Sequence, residues 1–321
     1  MSSIPYSRYL IYPVPWYSFL IVVGAVSAII LACREERRRN FPKDTVIDLA
    51  LWILPCGIIG ARLYYVAFSW NQFSADLFSV FRVWEGGLAI YGGVIAGFVV
   101  LLIFSKKRNL SPLVLCDLIA PGLALAQCIG RWGNWFNQEA YGLPVTDQAL
   151  CFFPFAVQIP SDGYTWHLAT FFYESIWDLA VFLFLMLSRH RLLRKQGDVF
   201  FFYLFLYASG RMVIEELRMD SLYASSIRIS QLLSILLCLG ILIYYLFHCG
   251  KIASLSLLVR FLLLPFALSG SVLILADSFL GIFGSWSSAG RAAFLLSYAL
   301  LMLTTLFVVF FREVKNADNK S

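Results

Sequence analysis

Charge is scarce in this chain: only 14% of its 321 residues are Asp, Glu, Lys or Arg, against roughly 25% in soluble globular domains. Hydrophobic residues make up 60%. A soluble core of this size could not hide so much apolar surface, since exposed apolar patches beyond a few hundred Å² are already unusual. The composition therefore excludes a soluble enzyme and a disordered chain. The seven cysteines are odd in number. They show neither a CxxC pair nor Cys/His metal spacing, which excludes a secreted disulfide scaffold and a zinc site. The start of the sequence has no basic stretch followed by a small-residue cleavage site, so its first apolar run is expected to stay in the mature protein. No repeat of 20–50 residues and no low-complexity tract interrupts the chain.

What remains is an all-α polytopic membrane protein. A membrane helix needs about 20 mostly apolar residues. Nine stretches qualify, near 15–33, 46–68, 87–105, 113–131, 168–188, 198–218, 229–248, 254–276 and 292–311. Arg260 and Pro265 would kink the eighth. The net charge of +6 is not gathered on one polar face, as nucleic-acid binding would require. It sits in short loops: Arg34, Arg37, Arg38, Arg39 and Lys43; then Lys106, Lys107 and Arg108; then Arg189, Arg191, Arg194 and Lys195; then Lys251; then Arg312, Lys315 and Lys320. Alternate loops thus face the cytoplasm, with the N-terminus outside and the C-terminus inside. Residues 132–167, rich in Trp, Phe, Asn, Gly and Pro, are expected to form an outer cap with rings at headgroup depth.

Ionisable groups within a membrane are costly and face a bundle interior or a watery cavity. The topology puts Arg62, Arg131 and Arg211 in the outer halves of three spans, with Glu85, Tyr91 and Glu174 near the outer ends of two others. Tyr207, Arg211, Glu215 and Arg218 recur at spacings of four, four and three, on one helical face. Arginine is always charged and grips phosphate or carboxylate through two donors. Several at one depth, oriented by carboxylates, suit a phospholipid headgroup; each could instead snorkel or stitch helices together. The stretch EGGLAIYGGVIAG, from Glu85 to Gly97, includes Gly92 and Gly93. Its glycines allow either close helix packing or open backbone beside a headgroup.

The string GRWGNWFNQEAYG, from Gly130 to Gly142, closely resembles the signature of the bacterial prolipoprotein diacylglyceryl transferase family. Other segments agree in order: VPWYSFL with Trp16 and Tyr17, GARLYYV with Arg62, WEGGLAIYGG, HLATFFYES from His167 to Ser175, YASGRMVIEELR from Tyr207 to Arg218, and SQLLS with Gln231 and Ser234. The likeness covers roughly residues 12–248. It implies a seven-helix core, so residues 1–250 are expected to form the transferase domain, with the cap at about 132–167, and residues 251–321 an additional two-span segment and cytoplasmic tail. It implies transfer of diacylglyceryl from phosphatidylglycerol to the lipobox cysteine of a prolipoprotein signal peptide in the bacterial cytoplasmic membrane. Carried over by motif, its important arginines fall on Arg131 and Arg211, its asparagine and glutamate on Asn134 and Glu139, its glycine on Gly142, its tyrosine on Tyr207 and its acidic partner on Glu215. Tyr17, Arg62, Gly92, Gly93 and Glu174 join these as candidate contacts to substrate.

Where the family often has histidine before its third-helix Gly-Gly, this chain has Tyr91. The general base is thus open between Tyr91, His167 and a glutamate; histidine titrates near neutrality, whereas tyrosine, with a pKa near 10, would need a cationic neighbour. The thiol could also ionise beside the arginines with no protein base. No cofactor or metal is expected, because the arginines supply the positive charge. A membrane transporter for an anionic amphiphile would also gather arginines in a bundle, but would usually show two similar halves with a site at mid-depth.

Overall fold

The computed structural model describes residues 7–74, 76–193, 195–221, 223–224, 227–248, 270, 274 and 286–318. All of the expected eighth span except residues 270 and 274 lies outside these residues, Arg260 and Pro265 included, as does the side chain of Glu85. The long helices are α1 (Trp16–Arg38), α2 (Thr45–Phe68), α4 (Ile90–Arg108), α5 (Pro112–Asn137), α6 (Thr170–Ser188), α7 (Asp198–Glu216), α8 (Ile229–His248) and α9 (Ser288–Asp318); α3 (Trp70–Phe73) is one short turn. Among the described residues six of these are long and apolar enough to cross a membrane, and α8 is apolar over Ile229–Tyr245. α7 has 19 residues but carries Asp198, Arg211, Glu215 and Glu216. The chain is a multi-pass membrane protein of all-α architecture.

Among the described residues, six short strands pair as three antiparallel ribbons: β1 (Tyr9–Ile11) with β2 (Val14–Pro15), β3 (Ala156–Ile159) with β4 (Thr165–Leu168), and β5 (Tyr223–Ala224) with β6 (Ile227–Arg228). The chain divides into two compact units. One comprises residues 1–25, 123–194 and 198–321; the other comprises residues 26–122 and 195–197.

In the smaller unit, α2 and α4 lie against each other over most of their length. The contact is made by small residues: a Cβ added at Gly60 would come within 2.7 Å of the Gly92 carbonyl oxygen, and one at Gly93 within 3.4 Å of the Gly57 carbonyl oxygen. The expectation that Gly92 and Gly93 leave backbone open to a headgroup is corrected here, because their faces are filled by α2. α4 starts at Ile90, later than its apolar run suggested. Gly86 and Gly87, at φ 92° and 68°, break the helix before it.

In the larger unit, α5, α6, α7, α8 and α9 are joined by polar ties as well as apolar contact. The Trp132 indole donates to Ser175 Oγ at 3.1 Å, and Ser175 donates to the Cys128 carbonyl at 2.9 Å, linking α5 to α6. The Trp177 indole donates to the Leu206 carbonyl at 2.8 Å, linking α6 to α7. The buried Tyr245 hydroxyl donates to Asp198 at 2.8 Å, linking α8 to α7. α5 runs to Asn137, several residues into the segment expected to be cap. Trp132 and Trp135 pack on Phe171 there, with Trp135 stacked at 6.0 Å, so aromatic contact carries the helix onward.

Candidate functional site

Arg131 near the end of α5, Glu174 in the first turns of α6 and Arg211 near the end of α7 meet at one end of the larger unit. Glu174 is 4% exposed, and three guanidinium groups converge on it. Arg131 approaches at 2.7 Å, Arg218 at 3.3 Å, and Arg211 forms the third contact. Arg211 also reaches Glu215, one helical turn on, at 2.6 Å. Arg218 is held from its other side by Asp220 at 2.7 Å. Buried charges persist only when paired. Here three cations are matched by Glu174, Glu215 and Asp220, so the cluster is compensated by the protein's own carboxylates.

A water-sized cavity of about 10 Å³ opens among Arg131, Glu174, Trp177, Asp178, Tyr207 and Arg211. Asp178 is buried on α6, four residues beyond Glu174 and therefore on the same face. One of its oxygens lies 4.0 Å from Arg131 Nε and makes no hydrogen bond among the described residues. The sequence reading missed Asp178; the Glu174–Asp178 spacing inside an apolar span was the signal that could have found it. Tyr207 lines the cavity, and its ring stacks on that of Tyr203, whose hydroxyl donates to Gln127 at 2.9 Å.

The signature segment runs on from Arg131. Asn134 lies on the Arg131 face of α5, half-buried. Its carbonyl accepts from the Glu139 amide at 3.0 Å, closing the helix. The chain then turns sharply, with Gln138 and Ala140 at φ 55° and 57°. Glu139 is exposed, accepts from Asn137 at 3.2 Å, and is within electrostatic reach of Tyr17. The Tyr17 ring lies over Gly133, where a Cβ would meet it at 2.7 Å. Gly142 is hemmed in: a Cβ there would meet the Leu168 side chain and the Leu217 carbonyl, both at 2.7 Å. Its amide donates to the Leu168 carbonyl at 2.9 Å, and it bridges to Arg218. Gly142 thus lets the cap lie against the stretch that follows α7, an arrangement no larger residue permits.

His167 is buried on β4 with both ring nitrogens engaged, one at 2.8 Å from the Gly142 carbonyl and the other at 2.8 Å from Asp162. It fastens the β3–β4 hairpin to the signature segment. Asp162 is drawn below its ordinary carboxyl value by hydrogen bonds from Thr165 and His167.

Arg62 is not gathered with these arginines. It belongs to the smaller unit, is 5% exposed, and donates to the backbone carbonyls of Ser79, Val80, Gly86 and Gly87 at 2.6–3.1 Å. Its charge lies over the Phe73 ring at 5.0 Å. With its fork occupied by four carbonyls, Arg62 ties the 79–87 segment to α2, and its expected place among the headgroup ligands is corrected accordingly. Tyr91 stands half-buried in the first turn of α4, also in the smaller unit.

Comparison with known proteins identifies the family. Residues 7–247 match the family described as prolipoprotein diacylglyceryl transferase. The chain is similar to the phosphatidylglycerol–prolipoprotein diacylglyceryl transferase of Limosilactobacillus reuteri (strain DSM 20016), at 45% identity over 240 residues, covering 72% of this chain and 86% of that one. It is also similar to the enzymes of that name from Streptococcus mutans, at 47% over 225 residues (69% and 86%), and Lactococcus lactis, at 44% over 236 residues (73% and 89%). With the match running through every helix that bears the arginine cluster, the chain belongs to the prolipoprotein diacylglyceryl transferase family.

Proposed function

We propose that this protein transfers the diacylglyceryl group of phosphatidylglycerol to the lipobox cysteine thiol of a prolipoprotein, forming a thioether and releasing glycerol phosphate. The observation that carries the reading is the convergence of Arg131, Arg211 and Arg218 on Glu174. Sulfur attacks the glyceryl carbon next to the phosphate, the carbon–oxygen bond breaks, and its electron pair moves onto the departing phosphate. Arg131 and Arg211 hold that phosphate, and their hydrogen bonds strengthen as its charge grows. Tyr207 and Asn134 add a hydroxyl and an amide. Glu174 and Glu215 hold the guanidinium groups in place until the phosphate displaces Glu174 from between them.

The thiol has an ordinary pKa of about 8.5, and guanidinium groups nearby favour its thiolate. The departing phosphate monoester, with a second pKa of about 6, can carry the proton away. No side chain is then required as base, which suits a His167 occupied on both sides and leaves Tyr91 to contact lipid. The clustering of Lys and Arg in alternate loops orients the cluster end toward the outer leaflet, with the N-terminus outside and the C-terminus cytoplasmic. Residues 1–250 form the transferase core, and residues 251–321 are an addition to it.

The test uses the full-length protein in nanodiscs containing phosphatidylglycerol, incubated with a lipobox peptide and weighed by mass spectrometry. A diacylglyceryl mass gain on the cysteine is expected. No gain, with folded protein and both substrates present, overturns the reading.

A further inference from the structure

The family match ends at residue 247, yet α9 is built into the larger unit. It packs against α7 and α8 and buries Leu295, Tyr298, Met302, Thr305, Leu306 and Phe310. Phe310 meets the rings of Phe202 on α7 and Tyr245 on α8 at 4.9 and 5.9 Å. These contacts make α9 a structural member of the bundle. One polar contact goes further. Arg291, in the first turn of α9, sets its Nε 2.6 Å from Glu216, the last residue of α7. Glu216 is 5% exposed and is also paired with Arg228, at the end of β6.

Both members of the Arg291–Glu216 pair are placed against their own helix. A helix start carries partial positive charge and disfavours a cation, and a helix end carries partial negative charge and disfavours an anion. α7 ends with two adjacent carboxylates, Glu215 and Glu216. Because the end of α7 meets the start of α9, each charge lies beside the helix terminus that favours it. Glu216 is relieved by Arg228, Arg291 and the start of α9. Glu215 is relieved by Arg211.

The position of Glu216 gives the pair its consequence. Immediately before it stands Glu215, the partner of Arg211. Immediately after it the chain turns extended: the Leu143 amide donates to the Leu217 carbonyl at 2.9 Å, Arg218 bridges to Gly142, and Arg218 reaches back to Glu174. Two of the three guanidinium groups on Glu174 therefore depend on the backbone on either side of Glu216. We propose that Arg291 of α9 is a positioning residue for the arginine cluster: by clamping Glu216 it fixes the last turn of α7, and with it Arg211 and Arg218. The inference rests on the transferase reading for its link to turnover, and on geometry alone for the clamp.

The full-length protein is compared with Arg291→Gln, Arg291→Lys and Phe310→Ala in phosphatidylglycerol nanodiscs. Two quantities are read: amide hydrogen exchange over residues 214–219, and kcat and KM in the transfer assay. Arg291→Gln is expected to speed exchange over 214–219 and to lower kcat about tenfold, because small displacements of charged groups at a reacting centre cost rate steeply, while KM for the peptide stays within twofold. Arg291→Lys, which keeps the charge, recovers most of both. Phe310→Ala loosens α9 and lowers thermal stability while exchange over 214–219 stays at the wild-type rate. Wild-type exchange in Arg291→Gln, or wild-type kcat, overturns the inference. A wild-type protein that transfers nothing overturns the transferase reading instead; the exchange data then judge the clamp by themselves.

Discussion

Two arginines on apolar helices, the buried Arg62 on α2 and the half-buried Arg131 on α5, are held in different ways. Arg62 faces backbone carbonyls, which are neutral, fixed and fully engaged by it. Arg131 faces the carboxyl groups of Glu174 and Asp178, which sit on side chains rather than on fixed backbone. A guanidinium held by carbonyls is a fastener. One held by a shared carboxylate is, under the proposed function, open to exchange with a substrate phosphate. Charge is alike in the two and Arg62 is the more deeply buried, so the chemistry of the partner, not the depth of burial, is the difference that bears on function.

Replacing each arginine tests that contrast. Arg131→Ala is expected to cost ~10²–10³ in turnover, as removal of a donor to developing charge does, with wild-type thermal stability; undiminished transfer in the mass assay would refute its role. Arg62→Ala is expected to reduce folded protein instead. Hydrogen bonds to a charged group contribute about 1.5–3 kcal/mol each, and four carbonyls lose their donor together. A thermal melt should show this as a large fall in Tm, while turnover per folded molecule drops less than tenfold. Should Arg62→Ala melt like wild type yet lose transfer, the two arginines are of one kind after all. Gly92→Leu probes the same unit through packing. It forces α2 and α4 apart and should destabilise by ~1–3 kcal/mol, read by denaturation in detergent.

A smaller effect is expected at the cap. Asp162 has a lowered carboxyl pKa in the folded state, so its contribution to stability is present above the ordinary value of 3.8 and is lost as pH falls through the lowered one. The β3–β4 hairpin, followed by amide exchange, should therefore loosen only below pH 3.8. Asp162→Asn should show no such step; an unchanged acid transition in that variant would remove Asp162 from the account.

Helix positions were legible because a membrane span must be apolar over a set length. Seven of the nine expected spans coincide with α1, α2 and α4–α8 within a few residues, and α9 begins four residues early. The end of α5 was misplaced because Trp and Asn read as interfacial cap, while the tertiary partner that keeps them helical, Phe171, lies beyond the signature segment in sequence. Arg131, Arg211 and Glu174 could be brought to one depth from topology, since alternating spans fix which ends meet. Arg62 satisfied the same depth rule, but carbonyl partners leave no mark in composition. The Glu216–Arg291 pair was invisible for a related reason: its members are 75 residues apart, and no local pattern links them.

Glu174, wedged among three guanidinium groups, also bears on selectivity. A sulfate or free phosphate ion drifting in from bulk water finds the seat taken by an anion that never diffuses away, and must compete with it at buffer concentration. A phosphodiester anchored in the bilayer competes at the far higher local concentration that confinement provides. Under the proposed function, millimolar inorganic phosphate should accordingly leave transfer almost uninhibited, the resident carboxylate serving as a filter for membrane-borne anions.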